Sequence, residues 1–210
     1  MGPDYSLYLV ADADYAAGRN LTGLVEAAVA GGATIVQLRA KSLAGGAFAG
    51  LATEIAGRLA AVGVPFRIND RLDVALACGA AGVHLGQEDV PVAVARRLLG
   101  PGAIVGVSVN TAEEAIRAER EGADYVGAGP AYATTTKETA LAILGPEGVG
   151  RVVRATRLPV VAIGGIDVGN AAEIARAGAG GIAVVSAILG APDARRAAEE
   201  LKRAFQATAG

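Results

Sequence analysis

The chain has 210 residues, 52% of them hydrophobic, which is enough for a sizeable core and excludes a disordered chain. Its 19 basic and 21 acidic residues give a net charge of -2 with no run of either sign, so the footprint of a nucleic-acid or membrane-surface binder is absent and a small-molecule partner is expected. One cysteine, Cys78, excludes an internal disulfide, and the start Met1-Gly2-Pro3-Asp4-Tyr5 lacks the regions of a signal peptide, which reads as a cytoplasmic protein.

Aromatic residues make up only 4% of the chain while glycine numbers 30, a composition suited to thin parallel strands lying close under helices. Eight short apolar runs read as strands: 5–10, 33–38, 64–68, 82–85, 103–107, 124–128, 159–163 and 181–185. The segments between them carry helical spacing, clearest in Phe48, Leu51, Ile55, Leu59 and Val62. Thr111 and Glu114 have the spacing of a capping box, and Gly63, Gly79, Gly100, Gly122 and Gly178 stand where helices should stop. A faint repeat, Gly32-Ala33-Thr34, Gly79-Ala80-Ala81, Gly122-Ala123-Asp124 and Gly178-Ala179-Gly180, joins each helix to the next strand. The uncharged stretch 177–192 contains Gly178, Gly180, Gly181 and Gly190, and suits a buried strand and turn better than a membrane span. Eight strand-helix units of about 26 residues without a linker predict a single (β/α)8 TIM barrel domain over residues 1–210, rather than an open doubly wound sheet.

In such a barrel the active site forms at the C-terminal ends of the strands. After strand two, alternation puts Ile35, Gln37, Arg39 and Lys41 on one face and Val36, Leu38 and Ala40 on the other. The apolar face suits the helices, so Gln37 and Arg39 point into the mouth, where a guanidinium and the Lys41 ammonium favour an anion. Asp70 after strand three and Asp89 after strand four each have two readings: a helix cap, or, beside Arg39 and Lys41, a ligand for Mg2+ bridging a diphosphate. His84, the only histidine, lacks the companions of a zinc site or a triad and reads as a packed, hydrogen-bonded residue. Ser108 is either a plain strand end or a donor to a ligand. Thr134, Thr135, Thr136 and Lys137 form a loop that looks built to grasp phosphate, and Gly164-Gly165 with Val185-Ser186 occupy the strand ends where many barrels bind phosphate through backbone amides.

Together, Val36-Gln37-Leu38-Arg39-Ala40-Lys41, Ile68-Asn69-Asp70-Arg71, the run from Gly82 through His84-Leu85-Gly86-Gln87-Glu88-Asp89, Gly106-Val107-Ser108, Gly129-Pro130, Thr134 to Lys137, Ile163-Gly164-Gly165-Ile166 and Val184 to Ile188 resemble the thiamine phosphate synthase family over nearly the whole chain. The resemblance implies a transferase that joins 4-amino-2-methyl-5-(diphosphooxymethyl)pyrimidine to 4-methyl-5-(2-phosphoethyl)thiazole, or its carboxylated form, giving thiamine phosphate and diphosphate. It implies that Gln37, Arg39, Lys41, Asn69, Ser108 and Lys137 bind the pyrimidine diphosphate, with Arg39, Lys41, Ser108 and Lys137 assisting catalysis. It further implies that Asp70 and Asp89 hold Mg2+, and that Thr134, Thr136, Gly165, Val185 and Ser186 hold the thiazole phosphate. The family often has Glu where Ala40 stands, on the face turned from the mouth, and Pro where Ala133 stands. A tautomerase-like isomerase on the same barrel leaves Asp70, Asp89 and Lys137 without a task, and a non-catalytic phosphate sensor lacks an appended domain. Small-molecule substrates are the expected partners, with neither nucleic acid nor membrane, and a homo-oligomer is left open.

Overall fold

The computed structural model describes residues 2–134, 136 and 140–207. Its elements are β1 (Leu7–Asp12), α1 (Leu21–Ala30), β2 (Ile35–Arg39), α2 (Gly45–Ala60), β3 (Phe66–Asn69), α3 (Leu72–Cys78), β4 (Gly82–Leu85) and α4 (Val92–Leu99). They continue as β5 (Ile104–Val109), α5 (Ala112–Arg120), β6 (Tyr125–Ala128), α6 (Gly145–Ala155), β7 (Val160–Ile163), α7 (Ala171–Arg176), β8 (Gly181–Val184), α8 (Ser186–Leu189) and α9 (Ala194–Gln206). The eight strands pair in parallel in sequence order, and β1 closes on β8, which makes the predicted (β/α)8 barrel.

Period-two alternation sorts the strand side chains into two clusters. Val36, Leu38, Ile68, Val83, Val105, Val107 and Val126 face outward into the layer shared with the helices, and Ala40 joins them there, on the face the alternation assigned to it. Tyr5, Tyr8, Val10, Ile35, Tyr125, Val161 and Ala183 face inward. Few large groups fill the lumen, and bare backbone makes room for them. A Cβ on Gly106 would lie 2.1 Å from the Tyr125 ring, and one on Gly127 would lie 2.9 Å from Cε1 of His84. Arg67 is fully buried in this lumen, its guanidinium 5.2–5.7 Å from the ring centres of Tyr5, Tyr8 and Tyr125.

The helix signals match. Thr111 and Glu114 close a capping box on α5, and all five expected stop glycines adopt positive φ, from 64° at Gly79 to 90° at Gly178. On α2, Phe48, Ile55 and Leu59 are buried, but Val62 lies past the helix end and is 61% exposed, so the amphipathic stripe is one turn shorter than its spacing suggests. β1 starts two residues later than expected and runs on to Asp12, which puts an unforeseen carboxylate at the mouth. Among the described residues no helix is long and apolar enough to cross a membrane, and the uncharged stretch 177–192 contains β8 and α8.

Candidate active site at the barrel mouth

A cavity of about 600 Å³ opens where the strands end. Gln37, Arg39, Lys41, Asn69, Asp70, Asp89, Ser108, Thr134, Thr136, Gly165, Val185 and Ser186 all line it, so every expected site residue within the described part of the chain converges on one space. Lys137 lies outside the described residues.

On the β2 side, the Arg39 guanidinium is bonded to Asp12, whose carboxylate is 2% exposed and also accepts from the backbone N–H groups of Asp14 and Tyr15, each at 3.0 Å. Asp14 in turn accepts from the N–H of Lys41 at 2.8 Å and from the Ser42 hydroxyl, and those bonds hold its carboxyl below the ordinary range. The loop after β1 thus positions both cations at the end of β2. With Asp12 as a charge partner, Arg39 is partly neutralised, which lowers the cost of keeping a largely buried guanidinium at the mouth.

Neither acid caps a helix. α3 opens on Arg71 and α4 on Pro91, and neither N-cap has a side-chain bond, so the cap reading of Asp70 and Asp89 falls. Asp70 instead adopts φ 62°, the one positive value at a non-glycine residue among the described residues, and bonds Lys41 through its carboxylate. Asp89 accepts from the Gly86 N–H at 2.6 Å. Partial burial, then the hydrogen-bonding contact and negative charge of Asp70, raise the Asp89 carboxyl above its ordinary range. Two acids pressed together with one lysine beside them leave a surplus of negative charge and hard oxygen donors. That donor set fits a divalent cation such as Mg2+, which takes one or two protein carboxylates and completes its shell with water and phosphate oxygens. Among the described residues no group of three or more His, Cys, Asp or Glu side chains is placed to hold a metal.

The floor of the cavity is polar. His84 bonds Tyr125 through Nδ1 at 2.8 Å and Ser108 through Nε2 at 2.9 Å, as its reading as a packed, hydrogen-bonded histidine expects. Gln37 donates to the Tyr8 hydroxyl at 2.8 Å. On the opposite side, Gly164 and Gly165 have φ of 100° and 63°, and a Cβ on Gly165 would lie 2.4 Å from the Ala133 carbonyl. Both glycines therefore serve first to let the loop after β6 lie against the end of β7, where Ala131 and Tyr132 bond Ile163 and Gly164 through the backbone. Asn110 pins the same loop by donating to the carbonyls of Gly129 and Ala142, each at 2.9 Å.

The model of the thiamine monophosphate synthase family matches residues 7–188, from β1 to α8. The chain belongs to this family. A thiamine-phosphate synthase of Chloroflexus aurantiacus is 47% identical over 98% of this chain and 94% of its own length. One of Albidiferax ferrireducens is 52% identical over 96% of this chain and 92% of its own. Among solved structures, thiamine phosphate pyrophosphorylase from Pyrococcus furiosus superposes with a TM-score of 0.90 at 38% identity, covering 99% of this chain and 98% of that one. Within this barrel, sequence reasoning missed Asp12, Asp14, Tyr8 and Tyr125. Asp12 had a signal: it shares the face of Tyr8 and Val10 by alternation, and went unread because the first strand was expected to end at Val10. Tyr8 and Tyr125 had none, since each is an ordinary aromatic in an apolar strand.

Proposed function

We propose that the chain condenses an aminomethylpyrimidine diphosphate with a thiazole phosphate, releasing diphosphate and forming thiamine phosphate, the activity for which its relatives are named. In this reaction the C–O bond of the pyrimidine methylene breaks, the diphosphate leaves with the electron pair, and the thiazole nitrogen supplies the pair for the new C–N bond. The electron-rich aminopyrimidine supports positive charge on the methylene. What the protein must supply is stabilisation of the leaving group and alignment of two bound substrates, not a nucleophile or a strong base.

The observation that carries this reading is the lining of one cavity, which draws charged residues from the ends of β2 to β4 and hydroxyls and glycines from the ends of β6 to β8. Arg39, Lys41, Asn69, Ser108 and the pair Asp70 and Asp89 occupy the side of β2 to β5, and this set suits a diphosphate. Gln37 lies on β2 at the floor, bonded to Tyr8 on β1, and would meet the pyrimidine. Gly165, Val185 and Ser186 with Thr134 and Thr136 occupy the side of β6 to β8, where backbone amides and hydroxyls suit a phosphate monoester. Lys137, adjacent in sequence, adds a cation for the leaving group. Asp70 and Asp89 would hold Mg2+, which when bound offsets the charge that grows on the departing diphosphate. An isomerase acting on the thiazole phosphate alone would leave both acids and Lys41 idle. The same reading makes small molecules the partners and the cytoplasm the location, and leaves a homo-oligomer open.

The test is to incubate the protein with both substrates and Mg2+ and to follow thiamine phosphate by mass. Product that forms with Mg2+ and stops on chelation supports the assignment. Isomerised thiazole phosphate without condensation would overturn it.

A further inference from the structure

Five side chains from five strands form one unbroken hydrogen-bond chain beneath the cavity. Gln37 on β2 donates its amide to the Tyr8 hydroxyl on β1 at 2.8 Å. The hydroxyls of Tyr8 and Tyr125, on β1 and β6, are 2.9 Å apart. Tyr125 meets Nδ1 of His84 on β4 at 2.8 Å, and Nε2 of His84 meets the Ser108 hydroxyl on β5 at 2.9 Å. Gln37, Tyr8 and Tyr125 are buried, at 4%, 1% and 0% exposure.

Proton counting gives this chain a direction. Each phenol has one proton to donate. Tyr8 receives the Gln37 amide, and among the described residues the other polar atom bonded to its hydroxyl is the Tyr125 oxygen, so Tyr8 donates to Tyr125. Tyr125 then donates to Nδ1 of His84, the ring proton sits on Nε2, and Nε2–H donates to Ser108. The Ser108 proton is left facing the cavity that Ser108 lines. A proton on Nδ1 would turn Tyr125 back on Tyr8, which would then accept twice and bury its own donor unpaired, the costly arrangement in an interior. The rings have no room to escape. A Cβ on Gly106 would lie 2.1 Å from the Tyr125 ring, and one on Gly127 would lie 2.9 Å from His84, while the Arg67 guanidinium rests against the rings of Tyr8 and Tyr125.

We propose that His84 is a positioning residue: the chain starting at Gln37 fixes it as the Nε2–H tautomer, and this fixes the Ser108 hydroxyl as a donor to the ligand in the cavity. The inference rests on the proposed function for the identity of that ligand, a departing diphosphate, which needs donors as its charge grows. The direction of the chain itself stands without it.

His84 is the only histidine, so a full-length protein labelled with 15N-histidine carries one imidazole, whose two nitrogen shifts report the proton directly. In the ligand-free protein near neutral pH, Nδ1 is expected bare and Nε2 protonated. A proton on Nδ1, or a rapidly averaged pair, would overturn the proposal. Gln37→Glu supplies the decisive perturbation. Its ionised carboxylate cannot donate, so Tyr8 must turn toward it, the chain reverses, and the proton moves to Nδ1. An unmoved proton in that variant also refutes the chain. For activity, Tyr125→Phe keeps the ring and deletes the link; kcat is expected to fall about tenfold, the value of one lost transition-state hydrogen bond, with KM for the thiazole phosphate unchanged. Adding Ser108→Ala to Tyr125→Phe should leave kcat no lower than Ser108→Ala alone, because both act through one hydroxyl. Multiplying losses would mean that Tyr125 acts by another route and would overturn the positioning role. Should the wild-type protein form no thiamine phosphate, the proposed function fails, while the nitrogen shifts of the wild type and Gln37→Glu still decide the chain.

Discussion

Replacing Asp89 with Asn separates a residue that serves a ligand from one that serves the fold. The Asp89 carboxylate accepts from Gly86 at 2.6 Å and faces Asp70, whose charge partner is Lys41. Its carboxyl is raised above the ordinary range by partial burial first and by Asp70 second. The amide keeps the shape, its oxygen keeps the bond from Gly86, and its NH2 gives Asp70 a donor in place of a like charge. Because the pair sits in an open, screened mouth, the gain is small, about 0.5–1 kcal/mol. For a chain of this length that is a rise of roughly 1–4 °C in Tm without metal. With Asp70 and Asp89 holding Mg2+ as proposed, the metal should reverse the order. At a hundredfold excess over its Kd the wild type gains about 2.7 kcal/mol by mass action, or roughly 5–11 °C, and the variant gains little. Thermal unfolding of both proteins in chelator and in Mg2+, run beside the thiamine phosphate assay, reads all three quantities. Activity should fall by about a hundredfold or more and recover in part at high Mg2+. A metal-free variant less stable than the wild type, or one stabilised by Mg2+ to the same extent, would refute the reasoning.

Gly106→Ala should cost about 3 kcal/mol in denaturant unfolding, because the new methyl overlaps the buried Tyr125 ring, whereas Gly127→Ala, which only crowds an edge of His84, should cost nearer 1 kcal/mol; equal costs would mean the lumen is loosely filled. Asp12→Asn keeps the acceptor for Asp14 and Tyr15 but removes the charge that holds Arg39. It should raise KM for the pyrimidine diphosphate severalfold and leave KM for the thiazole phosphate unchanged, and a matching rise in both would point to general disorder of the mouth. Glu119 accepts from the Thr156 hydroxyl at 2.6 Å and from Arg157, which lowers its carboxyl from 4.5 to about 2. A lowered folded value stabilises the fold above about pH 4.5 and loses that contribution as pH falls toward 2, so Glu119→Gln should be the less stable protein at pH 7 and should lose less stability than the wild type across that acid window. Parallel pH curves would remove Glu119 from the acid response.

The sequence by itself determined the architecture. Period-two apolar runs, helical spacing and stop glycines are local signals, and eight repetitions of them leave few ways to close a sheet. Alternation within β2 likewise put Gln37, Arg39 and Lys41 on the mouth side, because the side chain's direction in a strand depends only on its neighbours in the chain. Composition and net charge, which are sums over the chain and need no fold, narrowed the partner to small molecules. What only the tertiary structure decided is which groups meet. Asp70 and Asp89 read equally well as caps until the helices were seen to open on Arg71 and Pro91, leaving the acids to face each other across two strand ends. The glycine pair at 164 and 165 reads in the sequence as a phosphate grip, and the structure makes it the seat of the loop after β6, a close approach that no periodicity announces. Tyr8 and Tyr125 are 117 residues apart in sequence and 2.9 Å apart through their hydroxyls. Barrel closure alone brings them together, and a hydrogen bond across the lumen leaves no periodic trace in either strand that makes it.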